Sequence, residues 1–533
     1  MNKLRLVAAV LASVCAATAS AQSRKQQVEV SSAVQQDTLH SLRDVVPRPE
    51  DFTRMRARVE HDLPIPYVPP DQTDGAIQSF AEHPNFAQGT FAPTSISAVD
   101  GVGNGFSGPQ GAFTVQYAPP DTVGAVGATQ YVQVVNTGFA VFSKSTKSVI
   151  YGPVPTSALW AGFGGGCQTN NDGDATVVYD KAANRWVISQ FSVSTTPYLQ
   201  CVAVSQTSDA TGAYNRYAFS YGNTAFPDYP KTGVWPDGYY TTFNIFNGNS
   251  FGGAKLCAYN RSAMLSGAAA TQQCFQLSTS FGGVLPADLD GSTAPPAGSP
   301  NYLVNFGANS LNLWKFHVDW TNTANTTLAG PTNIPVAAFT AACNGGTCIP
   351  QSGTSQKLDS LADRLMFRLA YRNFGTSESL VVNHSVTTGT THKDTHTGVR
   401  WYEIRSPGAS PTVRQQSSFS PDSSYRWMGS IAMDKLGDMA LGYSVSSSTM
   451  HPAVRYTGRL AGDALNTMQA EASIIEGSGS QTGSRLARWG DYSAMTIDPV
   501  DDCTFWYTNE YIPANGAFNW STRIASFKFA GCQ

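Results

Sequence analysis

Charge is scarce in this chain of 533 residues. Asp, Glu, Lys and Arg supply 13 % of it, against roughly 25 % in an ordinary soluble protein. The formal net charge is −3, so no basic field draws the chain to nucleic acid or an anionic membrane surface. Beyond the amino-terminal segment no run approaches the ~18 apolar residues of a transmembrane helix, and no membrane insertion is expected. Cys-x-x-Cys is missing, which sets aside a zinc ribbon or a thioredoxin-type redox pair. There is no Gly-x-Ser-x-Gly elbow, P-loop or Rossmann fingerprint leading from a strand into a helix. Long amphipathic helices are missing too. Short helices are expected only near Ser262–Ala270 and Leu358–Ala362.

The address is legible. Lys3 and Arg5, the apolar stretch Leu6 to Ala17, and Ala19-Ser20-Ala21 form a secretory signal peptide over residues 1–21. The expected location is the periplasm or the extracellular space. Of nine cysteines, Cys15 falls in that segment. The remaining even set in an exported chain points to disulfides. Their sequential order suggests Cys167–Cys201, Cys257–Cys274, Cys343–Cys348 and Cys503–Cys532 as local staples. Residues 22–110 are polar, then Pro-rich around Leu63–Pro70, then Gly- and Ser-rich. They read as a leader, a linker or a propeptide.

Residues 111–533 change character. Short runs of Val, Ile, Tyr, Phe, Trp and Thr are bounded by Gly, Asn, Asp and Pro, the pattern of strands and turns. One unit recurs: an apolar strand ending in Asp, a tight turn, and an aromatic-rich return. Val177–Asp180 returns as Arg185–Ser189, Gly233–Asp237 as Tyr239–Phe243, Ile431–Asp434 as Met439–Tyr443, and Thr496–Pro499 as Thr504–Tyr507. Asp and Gly tolerate the tight geometry such hairpins need. Two more strand-like runs follow each hairpin, giving a four-stranded unit. Units begin near Asp121, Asp174, Tyr229, Asp288, Leu365, Trp427 and Asp491. The expected fold is an all-β, seven-bladed β-propeller, and a monomer. The last unit shows three strands, so Ala112–Tyr117 is expected to complete it and close the ring.

The stretch Pro119-Pro120-Asp121-Thr122-Val123-Gly124-Ala125-Val126-Gly127, with Tyr131-Val132-Gln133, resembles the opening blade of secreted bacterial β-propeller proteins, most of them uncharacterised. Asp174–Asp180 and Asn184-Arg185-Trp186 resemble their second blade. The resemblance implies the fold and export, and it transfers no activity.

Propellers work at the axial end where first strands begin. Asp121, Asp174, Asp228 and Asp491 fall there, together with Arg364, Arg426 and Arg488, which recur 62 residues apart. Three convergent arginines are similar to the sialidase layout, but the sialidase Ser-x-Asp-x-Gly-x-Thr-Trp repeat is absent. The arginines would hold a charged ligand by bidentate contacts, or pair with neighbouring acids and staple the ring. Asp491 and Glu510, with Asp174, are candidate acid–base or nucleophilic carboxyls for glycosidic bonds. His384 is the candidate base of a lyase. Trp427 and Trp489 would stack on sugar faces or fill the space between blades. His392 and His396 have a ligand-like spacing but sit in a loop-like context. No metal is assigned, although the oxygen-rich Asn170–Asp174 stretch admits Ca²⁺. Two readings stand: a glycoside hydrolase or polysaccharide lyase acting on a polysaccharide or glycan, and a non-catalytic extracellular binding or cell-surface interaction propeller.

Overall fold

The computed structural model describes residues 27–46, 58–59, 63–65, 72–79, 97–389 and 395–533. The expected signal peptide, residues 1–21, and His392 lie outside the described residues.

Asp, Asn and Gly punctuate the chain into hairpins, and carboxylates shape the turns. Asp180 accepts from the Ala183 N–H at 3.1 Å, and Asp434 from Leu436 N–H at 2.9 Å and Asp438 N–H at 3.0 Å. Asp498 accepts from Val500 N–H at 2.9 Å. These local bonds reverse the chain between first and second strands. The expected pairings follow: Val178 lies opposite Val187, Val234 opposite Tyr239, Ile431 opposite Leu441 and Thr496 opposite Trp506.

The hairpins extend into consecutive antiparallel meanders, numbered here sheets one to seven. Their first strands are Val123–Val126, Thr176–Asp180, Ala225–Val234, Leu285–Asp290, Met366–Asn373, Tyr425–Met433 and Ala494–Ile497. Sheets four and five are continuous through a parallel ladder that pairs Ala287 with Leu369 and Asp290 with Arg372. Each first strand contacts those of its two neighbours, and that of sheet seven contacts that of sheet one. The arrangement is all-β and propeller-like.

The core lies between neighbouring sheets. Val381 and Trp401 of sheet five pack with Ile431 and Tyr443 of sheet six, and Ala440 and Tyr456 of sheet six pack with Phe505 and Tyr507 of sheet seven. Both faces of an inner sheet are therefore covered, which is why its strands read as nearly continuous apolar runs and why charge is scarce. Gly442 is required by this packing, because a Cβ there would lie 2.4 Å from the Tyr507 ring.

Three sequence expectations are corrected. Leu358 lies within the strand Thr354–Asp359 rather than starting a helix, while the other expected helix forms at Arg261–Ser266, capped by the Asn260 side chain. His396 opens the strand His396–Arg405 and contacts Ser420 Oγ at 2.8 Å. The outer strand of sheet seven is Ser97–Asp100, paired with Ser521–Phe527, and not Ala112–Tyr117. Phe113 instead packs on Trp520, with ring centroids 5.8 Å apart.

Other parts of 22–110 also join the sheets. Gln35–Leu39 pairs with the outer strand of sheet two, and Glu29–Ser32 with that of sheet three. Gly75 N–H donates to Ala338 O at 2.9 Å. All four disulfides connect the cysteines in sequential pairs. Among the described residues no helix is long and apolar enough to cross a membrane.

Candidate functional site

At the end where first strands begin, side chains from one sheet cap backbone N–H groups of the next. Asn136 Oδ1 accepts from Asp174 N–H at 2.9 Å, and Asp174 Oδ2 from Tyr229 N–H at 3.1 Å. Asn244 Oδ1 accepts from Gly283 N–H at 2.9 Å, and Asp121 Oδ1 from Asp491 N–H at 2.7 Å. The donors need this help because the chain turns sharply there. Asp121, Asp174, Tyr229 and Met428 all adopt left-handed backbone, with φ between 45° and 55°, a conformation costly for non-glycine residues unless the surroundings hold it.

These turns deliver acids to one place. Asp121, Asp174, Asp491 and Glu510 are all buried. Asp228 is the one acid of this group that is only half-buried. It stands on the first strand of sheet three, opposite Asn244, at a bulge that breaks the register between Asp228 and Lys231. Bulges re-aim side chains, and here Asp228 and Lys231 both turn toward the cluster. Lys231 is wholly buried, with its ammonium 3.4 Å from the Tyr229 ring centroid and 3.7 Å from that of Tyr492. Two aromatic faces replace much of the water that this cation has lost.

The electrostatics follow from burial and crowding. Burial pushes the Asp228 carboxyl up to about 8, and the negative charge of Asp174 adds to the rise. Asp121 is held well above the usual carboxylate range by burial and by Asp491 and Asp174. Asp491 is raised by burial, against the pull of Arg488 and Arg364. Glu510 is raised well above its ordinary value by burial. Its Oε1 accepts from Gly490 N–H at 3.3 Å, while its Oε2 is buried without a hydrogen-bond partner among the described residues. Lys231 is pushed down by burial, opposed by Asp174, Asp121 and Asp491. Carboxyls crowded in this way resist ionising together, and burial and mutual repulsion act in the same direction on Asp121 and Asp228.

Two of the three recurring arginines reach this cluster. Arg488 donates to Asp491 at 2.6 Å and to Asp359 at 3.2 Å. Arg364 is held by Asp363 at 2.7 Å and lies over the Tyr229 ring. Arg426 does not come with them; it is clamped by Asp422 and Glu471. Trp427 and Trp489 are fully buried against each other, with centroids 5.4 Å apart, and present no face to a sugar. His384 is also placed elsewhere. It is buried in sheet five between Phe306 and Phe339, bonded to the Tyr402 hydroxyl at 2.9 Å, and its pKa is lowered by burial and by Arg400.

The Asn170–Asp174 oxygens diverge. Asp172 accepts from the backbone of Val193 and Ser194, Asn171 binds the Ser157 N–H, and Asp174 faces the cluster. Among the described residues no group of three or more His, Cys, Asp or Glu is arranged to hold a metal ion. Sequence reading named the acids and two arginines but missed the aromatic sandwich around Lys231. The pattern Asp228-Tyr229-Pro230-Lys231 was its only trace.

No family model and no curated protein matches this chain. Solved structures do show likenesses. The WD40 domain of SCAP from fission yeast is 8 % identical, covering 83 % of this chain and 92 % of that one, with a TM-score of 0.36. The α-L-arabinofuranosidase Arb93A from Fusarium graminearum is 9 % identical, covering 83 % and 99 %, with a TM-score of 0.36. The polysaccharide lyase Uly1 is 8 % identical, covering 82 % and 99 %, with a TM-score of 0.35.

Proposed function

We propose that the seven sheets are the blades of a closed, exported propeller, and that its axial site cleaves a glycan by acid–base chemistry as a glycoside hydrolase. The contacts that run from each first strand to the next support the ring. The observation that carries the activity is Asp228, a partly buried residue whose carboxyl pKa is raised to about 8 beside fully buried acids. A carboxyl that stays protonated at neutral pH is the group that donates to a leaving glycosidic oxygen. Asp174, which accepts from Tyr229 N–H and from the Tyr492 hydroxyl, is the partner carboxylate in this reading. Strained backbone, a bulge and shifted carboxyls occurring together fit a functional site better than a purely structural one.

The test is release of reducing ends from a polysaccharide panel by wild type and Asp228→Asn. Release by wild type, lost in the variant with the fold intact, is expected. Release with ultraviolet absorbance of an unsaturated uronate would replace the hydrolase by a lyase. Equal release by both proteins would remove Asp228 from the reaction.

One observation favours the binding-module reading. Arg364 and Arg488 are already engaged by Asp363, Asp359 and Asp491, as ring staples would be. Glycan retention without turnover by the folded protein would support that alternative.

A further inference from the structure

Sheets five and six meet, at their hairpin-turn end, over a row of arginines. Arg405 ends the third strand of sheet five, His396–Arg405, and Arg459 ends the third strand of sheet six, Met450–Arg459. Arg414 stands on the outer strand of sheet five, Thr412–Phe419. With the turn residues Phe374 and Leu436 they line a cavity of about 150 Å³. Pockets that enclose a whole small molecule run to roughly 300–1,000 Å³. This one has room for a single charged group.

Three guanidinium groups line it against one carboxylate. That carboxylate, Glu403, is buried and spent. Its Oε1 accepts from Arg405 Nε and from the Ser379 hydroxyl, and its Oε2 from Gln415 Nε2 at 2.6 Å. Arg414 lies 3.7 Å from Oε2 and donates no hydrogen bond among the described residues. Arg459 is 1 % exposed, yet no carboxylate pairs with it among the described residues. Its Nε donates to Thr467 O at 3.1 Å and its Nη2 to Asp463 O at 2.8 Å, which leaves Nη1 unspent. Burial pulls its pKa down, against the attraction of Asp463, Glu403 and Asp438. Asp463 and Asp438 are not part of the lining. Their carboxylates already accept from Leu460 N–H and Gln469, and from Ala461 N–H.

The cavity continues into a groove. Arg414, Gln415 and Leu465 line both the cavity and a second space of about 540 Å³, walled by 75–79, 413–417 and 465–467. No acid lines this groove among the described residues. Asp74, next to Gly75, is committed to Arg400. The groove is polar, and its unspent groups are donors. Asn466 Oδ1 accepts from Gln416 N–H at 2.9 Å and Gln416 Oε1 from Ala337 N–H at 3.0 Å. Both amide nitrogens are left without a partner among the described residues. A groove of amides and hydroxyls suits a hydroxyl-rich chain, and an arginine pocket at its end suits an oxyanion on that chain.

We propose that this cavity and groove are an accessory site for an anionic glycan, apart from the axial acids. The arginines hold a sulfate or carboxylate substituent by charge-assisted bonds, and the groove takes the sugar residues beside it. That the ligand is a glycan rests on the reading of the axial site; that the pocket holds an oxyanion does not.

The test is calorimetric titration of the Asp228→Asn protein with dextran sulfate oligosaccharides and with unsulfated dextran of the same length. Binding and not turnover is read, so failure of the axial chemistry leaves the measurement intact. Saturable binding, about tenfold or more tighter for the sulfated chain, is expected. Arg414→Gln, at an exposed position, should weaken it about fivefold or more. Leu465→Glu, at the exposed junction of cavity and groove, should abolish the preference. Arg43→Gln removes the same charge from another exposed site and should change nothing. Equal affinity for the two chains would overturn the proposal. So would wild-type binding in both Arg414→Gln and Leu465→Glu, each confirmed folded by circular dichroism. Sodium sulfate binding as tightly as a sulfated chain, per sulfate, would overturn the glycan groove and leave an ion pocket alone.

Discussion

Asp74 and Arg400 form a buried ion pair that joins the segment before the propeller-like body to sheet five. The side chains are 2 % and 0 % exposed. Ser418 Oγ binds both partners, accepting from Arg400 Nε at 2.6 Å and donating to Asp74 Oδ2 at 2.6 Å. A guanidinium at this depth without its acid would be an uncompensated charge. Asp74→Ala is therefore expected to lower stability by about 3–5 kcal/mol. Arg43→Ala, which breaks the exposed pair with Asp209 (side chains 56 % and 38 % exposed), should cost under about 1 kcal/mol. Urea unfolding midpoints of the two variants check the contrast, and equal shifts would show that 72–79 adds little to the fold.

The raised carboxyls set a sign for pH dependence. The Asp228 pKa moves from an ordinary value of 3.8 to about 8 on folding. Between those values the folded state binds the extra proton, so stability falls as pH rises through this window and levels off above it. Asp121, Asp491 and Glu510 are shifted in the same direction and add to the fall. Asp228→Asn should flatten part of the slope in Tm measured from pH 4 to pH 9. If Asp228 is the proton donor, activity should decline above about pH 8. Lys231→Met should move that decline to higher pH, because Lys231 draws the Asp228 pKa down.

Gly442 offers a packing test free of electrostatics. Its Cβ would meet the buried Tyr507 ring at 2.4 Å, whereas a Cβ at Gly462 meets nothing within 4 Å. Gly442→Ala should destabilise by about 1–3 kcal/mol through overpacking, and Gly462→Ala should be nearly neutral. Thermal unfolding of both variants provides the comparison.

Cys503–Cys532 ties the turn region of sheet seven to a residue 29 positions later. Replacing both cysteines by serine is expected to cost about 2–4 kcal/mol. Peptide mapping without reductant should return the four sequential pairs, and crossed pairs would contradict the fold around them.

The hairpins were legible because Asp-rich turns and aromatic returns act locally, within a few residues. The partner of the last outer strand was not. Ala112–Tyr117 alternates well, and the alternation is real: Phe113 and Val115 are buried. Alternation reports which side chains leave water, not where backbone hydrogen bonds go. Ser97–Asp100 is short and only partly buried, so its sequence carries little strand signal. Its place is set by pairing with a strand more than four hundred residues away and by the Arg523–Asp100 ion pair. At the end where first strands begin, the sequence located the acids and two of the three arginines. It could not tell that Arg426 turns outward to Glu471 while Arg488 turns to Asp491, because both follow the same spacing and differ only in their distant neighbours.

The pairing of Ser97–Asp100 with Ser521–Phe527 also fixes an order of events. The ribosome makes the first of these strands early and the second almost last. Until residues 521–527 emerge, Ser97–Asp100 has no ladder to join, and sheet seven lacks its outer member. Such distant pairing slows folding and leaves strand edges exposed meanwhile.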